Sequence, residues 1–147
     1  WIKLLKCNQL IPILNVFYSV GDFILNSNIN DYLEKFSFEI NDFSSDLHVP
    51  GVHHSLDCPE ITLYVHNNLI ECIGCYSELL YKGCNLIGLT INEFISQIGE
   101  NYCGEVDCLN FEDDDIPQYV YEFESIGLQV WVQGSNGKIV SITVSTH

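Results

Sequence analysis

The chain has 147 residues, of which 47% are hydrophobic, so it is long enough and apolar enough to bury a core. It carries 20 acidic residues against five lysines and no arginine, which gives a formal net charge of -15. A surface this acidic repels phosphate backbones and anionic lipids, so we expect neither a nucleic-acid partner nor a membrane partner. It attracts a cationic protein and raises the rate of encounter with it.

Two features bear on the compartment. The most apolar run, residues 10–20, is too short for a membrane-spanning helix and contains Pro12 and Asn15. There are seven cysteines, and an odd number without a secretion signal favours reduced thiols in the cytoplasm. One or two disulfides in an exported form of the protein remain the alternative.

The first half of the chain predicts a short helix and then a hairpin. Asn28 is a suitable N-cap, and apolar side chains in residues 29–36 recur at helical spacing on one face. Residues 61–66 and 69–75 predict two strands because apolar and polar side chains alternate in them. Asn67 and Asn68 between the strands predict a tight turn, since asparagine tolerates positive φ.

The second half predicts a better-defined helix. Thr90 and Glu93 have the spacing of a capping box, residues 91–98 have an apolar stripe, and Gly99 follows as a C-terminal stop. Three strands then close the chain, and they are predicted over residues 118–124, 128–132 and 138–144. Two polar stretches, residues 41–59 and 100–117, are predicted as loops.

The two halves resemble each other. Residues 21–36 align with residues 83–98 without a gap, at an offset of 62, and the hairpins also match in their apolar pattern. We therefore predict one domain over residues 1–147, with an internal repeat of residues 21–76 and 83–145. The predicted fold class is α+β, in which two related helix-plus-β-hairpin halves form a mainly antiparallel sheet.

No pattern predicts catalysis, a metal site or a cofactor. Cys72 and Cys75 form a C-x-x-C pair, but they fall in a predicted strand, where alternation puts them on opposite faces. No set of cysteines and histidines has zinc-ligand spacing, and neither a nucleophile elbow nor a phosphate-binding loop is present. We therefore expect a protein that is not an enzyme.

The clearest surface feature is the acidic stretch that follows the second helix. It predicts a docking surface for a cationic protein, and the aromatic residues after it are candidate anchors. A solvated loop without a partner is the alternative. The predicted partner-binding residues are Glu105, Asp107, Glu112, Asp113, Asp114, Asp115, Tyr119 and Tyr121.

The second half also resembles a known group of proteins. The motif G-x-N-L-I-G-x-T-x-x-E-F-I-x-x-I-G at residues 83–99 precedes Y-x-F-x-x-x-G-L-Q-V-W-V and G-K-I-x-S-I-x-V at residues 121–144. This is similar to bacterial immunity proteins of contact-dependent growth inhibition and other polymorphic toxin systems. The resemblance implies a cytoplasmic antitoxin that binds the C-terminal domain of one cognate toxin, in many cases a basic nuclease, and blocks its active site. A secreted or periplasmic adaptor protein with disulfides is the alternative function.

Overall fold

The computed structural model describes residues 10–47, 50–110, 116–134 and 137–146. The strands are β1 (Leu14–Asn15), β2 (Ser19–Val20), β3 (Phe23–Ile24), β4 (Glu39–Asp42), β5 (Val52–Asp57), β6 (Glu60–His66), β7 (Leu69–Cys75), β8 (Leu80–Tyr81), β9 (Cys84–Asn85), β10 (Cys103–Leu109), β11 (Gln118–Phe123), β12 (Leu128–Gln133) and β13 (Ile139–Val144). The helices are α1 (Ile91–Ile98) and two 3-10 turns, Ile29–Asp31 and Glu124–Ile126.

An eight-stranded antiparallel sheet dominates the fold. Its strand order is β10-β11-β12-β13-β7-β6-β5-β4, so that two four-stranded meanders, β4 to β7 and β10 to β13, lie side by side. They meet where β7 pairs with β13, through the register Cys75 to Ile142, Gly74 to Thr143 and Ile73 to Val144. Each meander follows the chain, and among the described strands only this pairing joins the two halves of the sheet.

The predicted fold class is wrong, because each half contributes four strands rather than a helix and a hairpin. The missing strands are β4, β5 and β10, which lie largely within the stretches predicted as loops. β4 has all its residues exposed, and β10 has only Val106 partly buried, so neither shows the alternation of apolar and polar residues that marks a strand. Their strand conformation depends on pairing with β5 and β11.

The first predicted helix is also wrong, since only Ile29–Asp31 forms a 3-10 turn, capped by Asn28 as expected. Asparagine, aspartate and tyrosine form helices poorly, and they make up its first turn. The following aromatic side chains pack instead around Phe23, whose ring centroid lies 5.2 Å from that of Tyr32 and 4.9 Å from that of Phe36. Tertiary packing therefore overrides the helical spacing.

The second helix is confirmed. The Thr90 side chain accepts a hydrogen bond from the Glu93 backbone, the Glu93 side chain accepts one from the Thr90 backbone, and Gly99 ends the helix with φ of 76°. The hairpin of β6 and β7 is confirmed as well, with φ of 52° at Asn67 and 64° at Asn68. Both elements are marked in the sequence by local capping or turn residues.

The sheet has two unlike faces. The helix face carries the buried apolar side chains of β6, β7, β12 and β13, and α1 and the segment before β4 pack against it. Phe94 of α1, for example, contacts Phe123 of β11 with ring centroids 4.9 Å apart. The opposite face, which we call the open face, carries Tyr64, Gln129 and Trp131.

Equivalent contacts tie each half together. Asn28 bridges to Leu69 at the start of β7, and Thr90 bridges to Lys138 just before β13. In each half, the residues just before the cap also form two backbone hydrogen bonds with the first part of the last strand. The strand residue is Ile70 in the first half and Ile139 in the second. The two halves therefore share an architecture, while the internal repeat of residues 21–76 and 83–145 as a duplication stays a prediction.

One buried base makes the fold sensitive to acid. His54 is 5% exposed on the helix face, and burial lowers its pKa below the ordinary value of 6.5. As the pH falls below 6.5, the unfolded chain takes up a proton at His54 more readily than the folded chain does. The stability that the neutral, buried His54 contributes is therefore complete above pH 6.5 and is lost as the pH falls. We expect urea unfolding to show that His54→Leu flattens the fall in unfolding free energy below pH 6.5. Parallel pH profiles for the two proteins would contradict this.

Candidate functional site

The open face contains a cleft of about 770 Å³ that crosses the junction between the two halves. Tyr64, Cys72 and Tyr76 line it from the first half, and Gln129 and Trp131 line it from the second. These residues converge only because β7 pairs with β13. The cleft therefore depends on both meanders, as sites at the junction of two structural units often do.

Two tyrosines form the first wall of the cleft. Their hydroxyl oxygens, Tyr64 Oη and Tyr76 Oη, are 2.7 Å apart. Both rings lie over Gly74, where an added Cβ would stand 2.9 Å from Tyr76 Oη and 3.1 Å from a ring carbon of Tyr64. A larger residue at position 74 would push the two rings away, so this glycine shapes the cleft.

A hydrogen-bonded row forms the second wall. Trp131 Nε1 donates to Gln129 Oε1 at 2.9 Å, and Gln129 Nε2 donates to Glu122 Oε1 at 2.7 Å. The three side chains lie on one face because they alternate along β12 and across to β11. The row fixes the indole ring in place and ends at a carboxylate.

Two ionisable groups in the cleft, the Tyr64 hydroxyl and the Cys72 thiol, keep their protons at neutral pH. Burial, followed by the hydrogen bond with Tyr76, raises the pKa of Tyr64. Burial and the charge of Glu71 raise the pKa of the Cys72 thiol, and burial raises the pKa of Cys75 on the opposite face to about 12. A protonated thiol is a weak nucleophile, so neither cysteine has the environment of a catalytic or redox thiol.

The predicted acidic residues lie partly at the edge of the sheet. Glu105 and Asp107 are exposed on the edge strand β10, and Asp107 pairs with Val120 on the open-face side of β11. The run Glu112, Asp113, Asp114 and Asp115 lies outside the described residues. A role in binding for all six residues stays a prediction.

The predicted aromatic anchors lie on the other side of the sheet. Tyr119 and Tyr121 pair with Val132 and Val130, so they project from the helix face and pack against the core. Tyr121 contacts Tyr102 with ring centroids 4.9 Å apart. The structure therefore separates these two tyrosines from Asp107.

The described cysteines differ in oxidation state. Cys72, Cys75, Cys84, Cys103 and Cys108 are free, whereas Cys58 is disulfide-bonded. The expectation that the thiols are reduced is therefore wrong at Cys58.

The described part of the chain has neither a metal-ligating cluster nor a membrane-spanning helix. It contains no group of three or more metal-ligating side chains. Within the same ranges, no helix has the length and apolar character needed to cross a bilayer.

Comparisons with known proteins add little to this geometry. No protein-family pattern matches the chain, and no curated protein matches it. Among solved structures, the chain is similar to the crystal structure of a DUF4309 family protein, YjgB, from Bacillus subtilis subsp. subtilis str. 168. The TM-score is 0.46 with 15% identity, over 87% of this chain and 84% of that chain. A likeness this distant carries no argument about function.

The sequence alone does not reveal the cleft. Strand alternation does put Tyr64 and Trp131 opposite the apolar residues of β6 and β12, and this signal was available. Their convergence needs the pairing of β7 with β13, which no local pattern encodes. Tyr76 follows the end of β7, outside any alternating run.

The tyrosine pair can be tested by a double-mutant cycle. Tyr64→Phe and Tyr76→Phe should each lower the unfolding free energy by about 1 kcal/mol, because each removes one partner of a half-buried hydrogen bond. The double variant should lose less than the sum, since no hydroxyl is then left without its partner. Urea unfolding measures all three variants, and Tyr18→Phe at a 59% exposed site is the control. Additive losses would show that the two hydroxyls do not interact.

Proposed function

We propose that this protein is a non-catalytic inhibitor of the immunity type, which binds the C-terminal domain of a cationic toxin through its open face. The observation that carries this proposal is the cleft between the tyrosine pair and Trp131. Tryptophan and tyrosine are the residues most enriched at the energetic centres of protein interfaces. Here hydrogen bonds already hold them in position, which reduces the entropy lost on binding.

The charge of the chain supports the same partner. A net charge of -15 steers a cationic protein toward the surface at long range. Long-range steering and short-range anchoring are separate contributions, because the first acts on association and the second on dissociation. In this proposal the acidic stretch that includes Glu105 and Asp107 steers the toxin, and the cleft holds it.

The chemistry of the cleft favours binding over catalysis. Tyr64 and Cys72 have raised pKa values and carry protons at neutral pH. The Glu122 carboxylate is engaged by Gln129 and orients the row that ends at Trp131. Protonated groups and a carboxylate that is already hydrogen-bonded can contact a bound protein surface. General-base or nucleophilic catalysis requires instead a deprotonated group directed at a substrate.

The kinetics of toxin binding test the proposal. If the chain is an immunity protein, a gene beside its own encodes the toxin, and the C-terminal domain of that product is the probe. Trp131→Ala should speed dissociation about 30-fold, the effect of losing a 2 kcal/mol hot spot. Neutralising Glu112, Asp113, Asp114 and Asp115 together should slow association at low salt and leave dissociation unchanged.

The control variant for these measurements is Asp22→Asn with Glu34→Gln, which removes two exposed charges outside the sheet. It should change both rate constants only slightly. Cells that express the toxin should survive with the wild-type chain and lose protection with Trp131→Ala. Absence of any binding to the toxin would overturn the proposed function, and full protection by a folded Trp131→Ala variant would remove the cleft from it.

A second candidate function is an exported adaptor that binds a partner without inhibiting it. The specific observation in its favour is the disulfide at Cys58, since stable disulfides form in oxidising compartments. The immunity proposal locates the protein in the cytoplasm, where the thiols would be reduced. The redox state of Cys58 in the living cell therefore separates the two candidates.

A thiol count measures that state. Cells are lysed directly into denaturant that contains an alkylating reagent, and the protein is analysed by mass spectrometry. If the protein is an exported adaptor, Cys58 should escape alkylation before reduction and be alkylated after it, because Cys58 is disulfide-bonded in the structure. Cys75 is the internal control for complete denaturation because it is fully buried in the fold. Seven alkylated thiols before reduction would favour the cytoplasmic inhibitor.

A further inference from the structure

We infer that the cleft on the open face binds a lysine or arginine side chain that the partner protein presents on a protruding loop. This inference rests on the proposed function, because it names the chemistry that the same cleft recognises. It depends on three features of the described residues: carboxylates in the main cleft and in a smaller cleft beside it, aromatic side chains in the main cleft, and the positions of the lysines.

Carboxylates line both the main cleft and a smaller one beside it. Glu71 lines the main cleft, with its side chain 57% exposed and 3.4 Å from Nδ1 of His66. A smaller cleft of about 200 Å³ continues from the main one, shares Cys72, Gln129 and Thr143 with it, and adds Glu122 and Glu124. The shared residues show that the two clefts adjoin, and acidic side chains line both of them.

The second wall presents an acceptor to an incoming group. Trp131 uses its indole N–H on Gln129, and Gln129 uses its amide N–H on Oε1 of Glu122. Both donors are directed along the wall, so the row terminates in the Glu122 carboxylate. A cation in the smaller cleft can extend this row at Glu122, and a cation in the main cleft can contact the ring of Trp131 at the other end of the row, where cation–π attraction adds to the charge of Glu71.

The lysines of the described residues lie elsewhere. Lys82 lies over the ring of Tyr81, 5.3 Å from its centroid. Lys138 is bridged to Thr90 at the start of α1, and its charge contributes to the lowered pKa of Glu93 after the hydrogen bonds from Thr90. Among the described residues that line either cleft, none is a lysine or an arginine.

A cationic side chain also fits the shape of the cleft. At about 770 Å³ the cleft is large enough for a loop of several residues rather than one small ion. The aromatic walls contact the aliphatic stem of a lysine or the plane of a guanidinium, and the carboxylates meet the charge. An anionic or wholly apolar loop would leave Glu71 and Glu122 without a counter-charge.

Peptide selection tests this inference without knowledge of the natural partner. A library of random cyclic heptapeptides on phage is selected against the full chain, and selected peptides are synthesised. The Trp1→Phe background leaves Trp131 as the one tryptophan, so its fluorescence reports binding at the cleft. We expect selected peptides to share one lysine or arginine and to require Trp131.

A cycle of substitutions separates local recognition from general acidity. Glu71→Gln with Glu122→Gln should weaken peptide binding by about tenfold or more, and replacing the peptide arginine by citrulline, or its lysine by acetyl-lysine, should cause a similar loss. The two changes together should cost little more than either alone, because they remove the same contact. Asp22→Asn with Glu34→Gln removes the same amount of charge outside the sheet and should change binding less than threefold. Urea unfolding confirms that each variant is folded.

Three outcomes count against the inference. Peptides that require Trp131 but share no cation would overturn it and leave the proposed function standing. Equal losses in the two pairs of charge variants would also overturn it, because the attraction would then be general. A selection that yields no Trp131-dependent peptide would count against both the inference and the use of this cleft for binding.

Discussion

The pairing of β7 with β13 is the contact on which the rest of the structure depends. It consists of three residue pairs, yet it converts two separate meanders into one eight-stranded sheet. On the helix face it merges the apolar side chains of both halves into one core, from Ile61 and Ile73 to Val130 and Ile142. On the open face it brings the tyrosine pair opposite Trp131. Stability and binding therefore depend on the same strand pairing.

Gly74 is the residue at which these two roles meet. It pairs with Thr143 across the junction and with Thr62 within the first half, so its backbone belongs to the centre of the sheet. Its missing side chain leaves space for the rings of Tyr64 and Tyr76 on the open face. A glycine in a central strand weakens that strand, and here the space it leaves shapes the floor of the cleft.

The elements that the sequence predicts correctly are those in which neighbouring residues form a helix cap or a turn. The capping box of Thr90 and Glu93, the stop at Gly99 and the asparagine turn of β6 and β7 all form as expected. β10 was missed because it lies at an edge, carries acidic residues and buries almost nothing. The cleft was missed for a different reason, since its walls come from strands far apart in sequence. Strand order and register are properties of the whole fold, and periodicity within one segment does not contain them.

The two outer strands have a consequence for how copies of this protein meet. β4 and β10 end the sheet on either side, and unpaired backbone groups on such strands are a template for further strands. Glu39 and Asp42 on one edge and Glu105 and Asp107 on the other give both edges the same charge. Two molecules that approach edge to edge therefore repel each other, which opposes the growth of the sheet into fibres. The acidity that attracts a foreign protein also keeps the molecule from polymerising with itself.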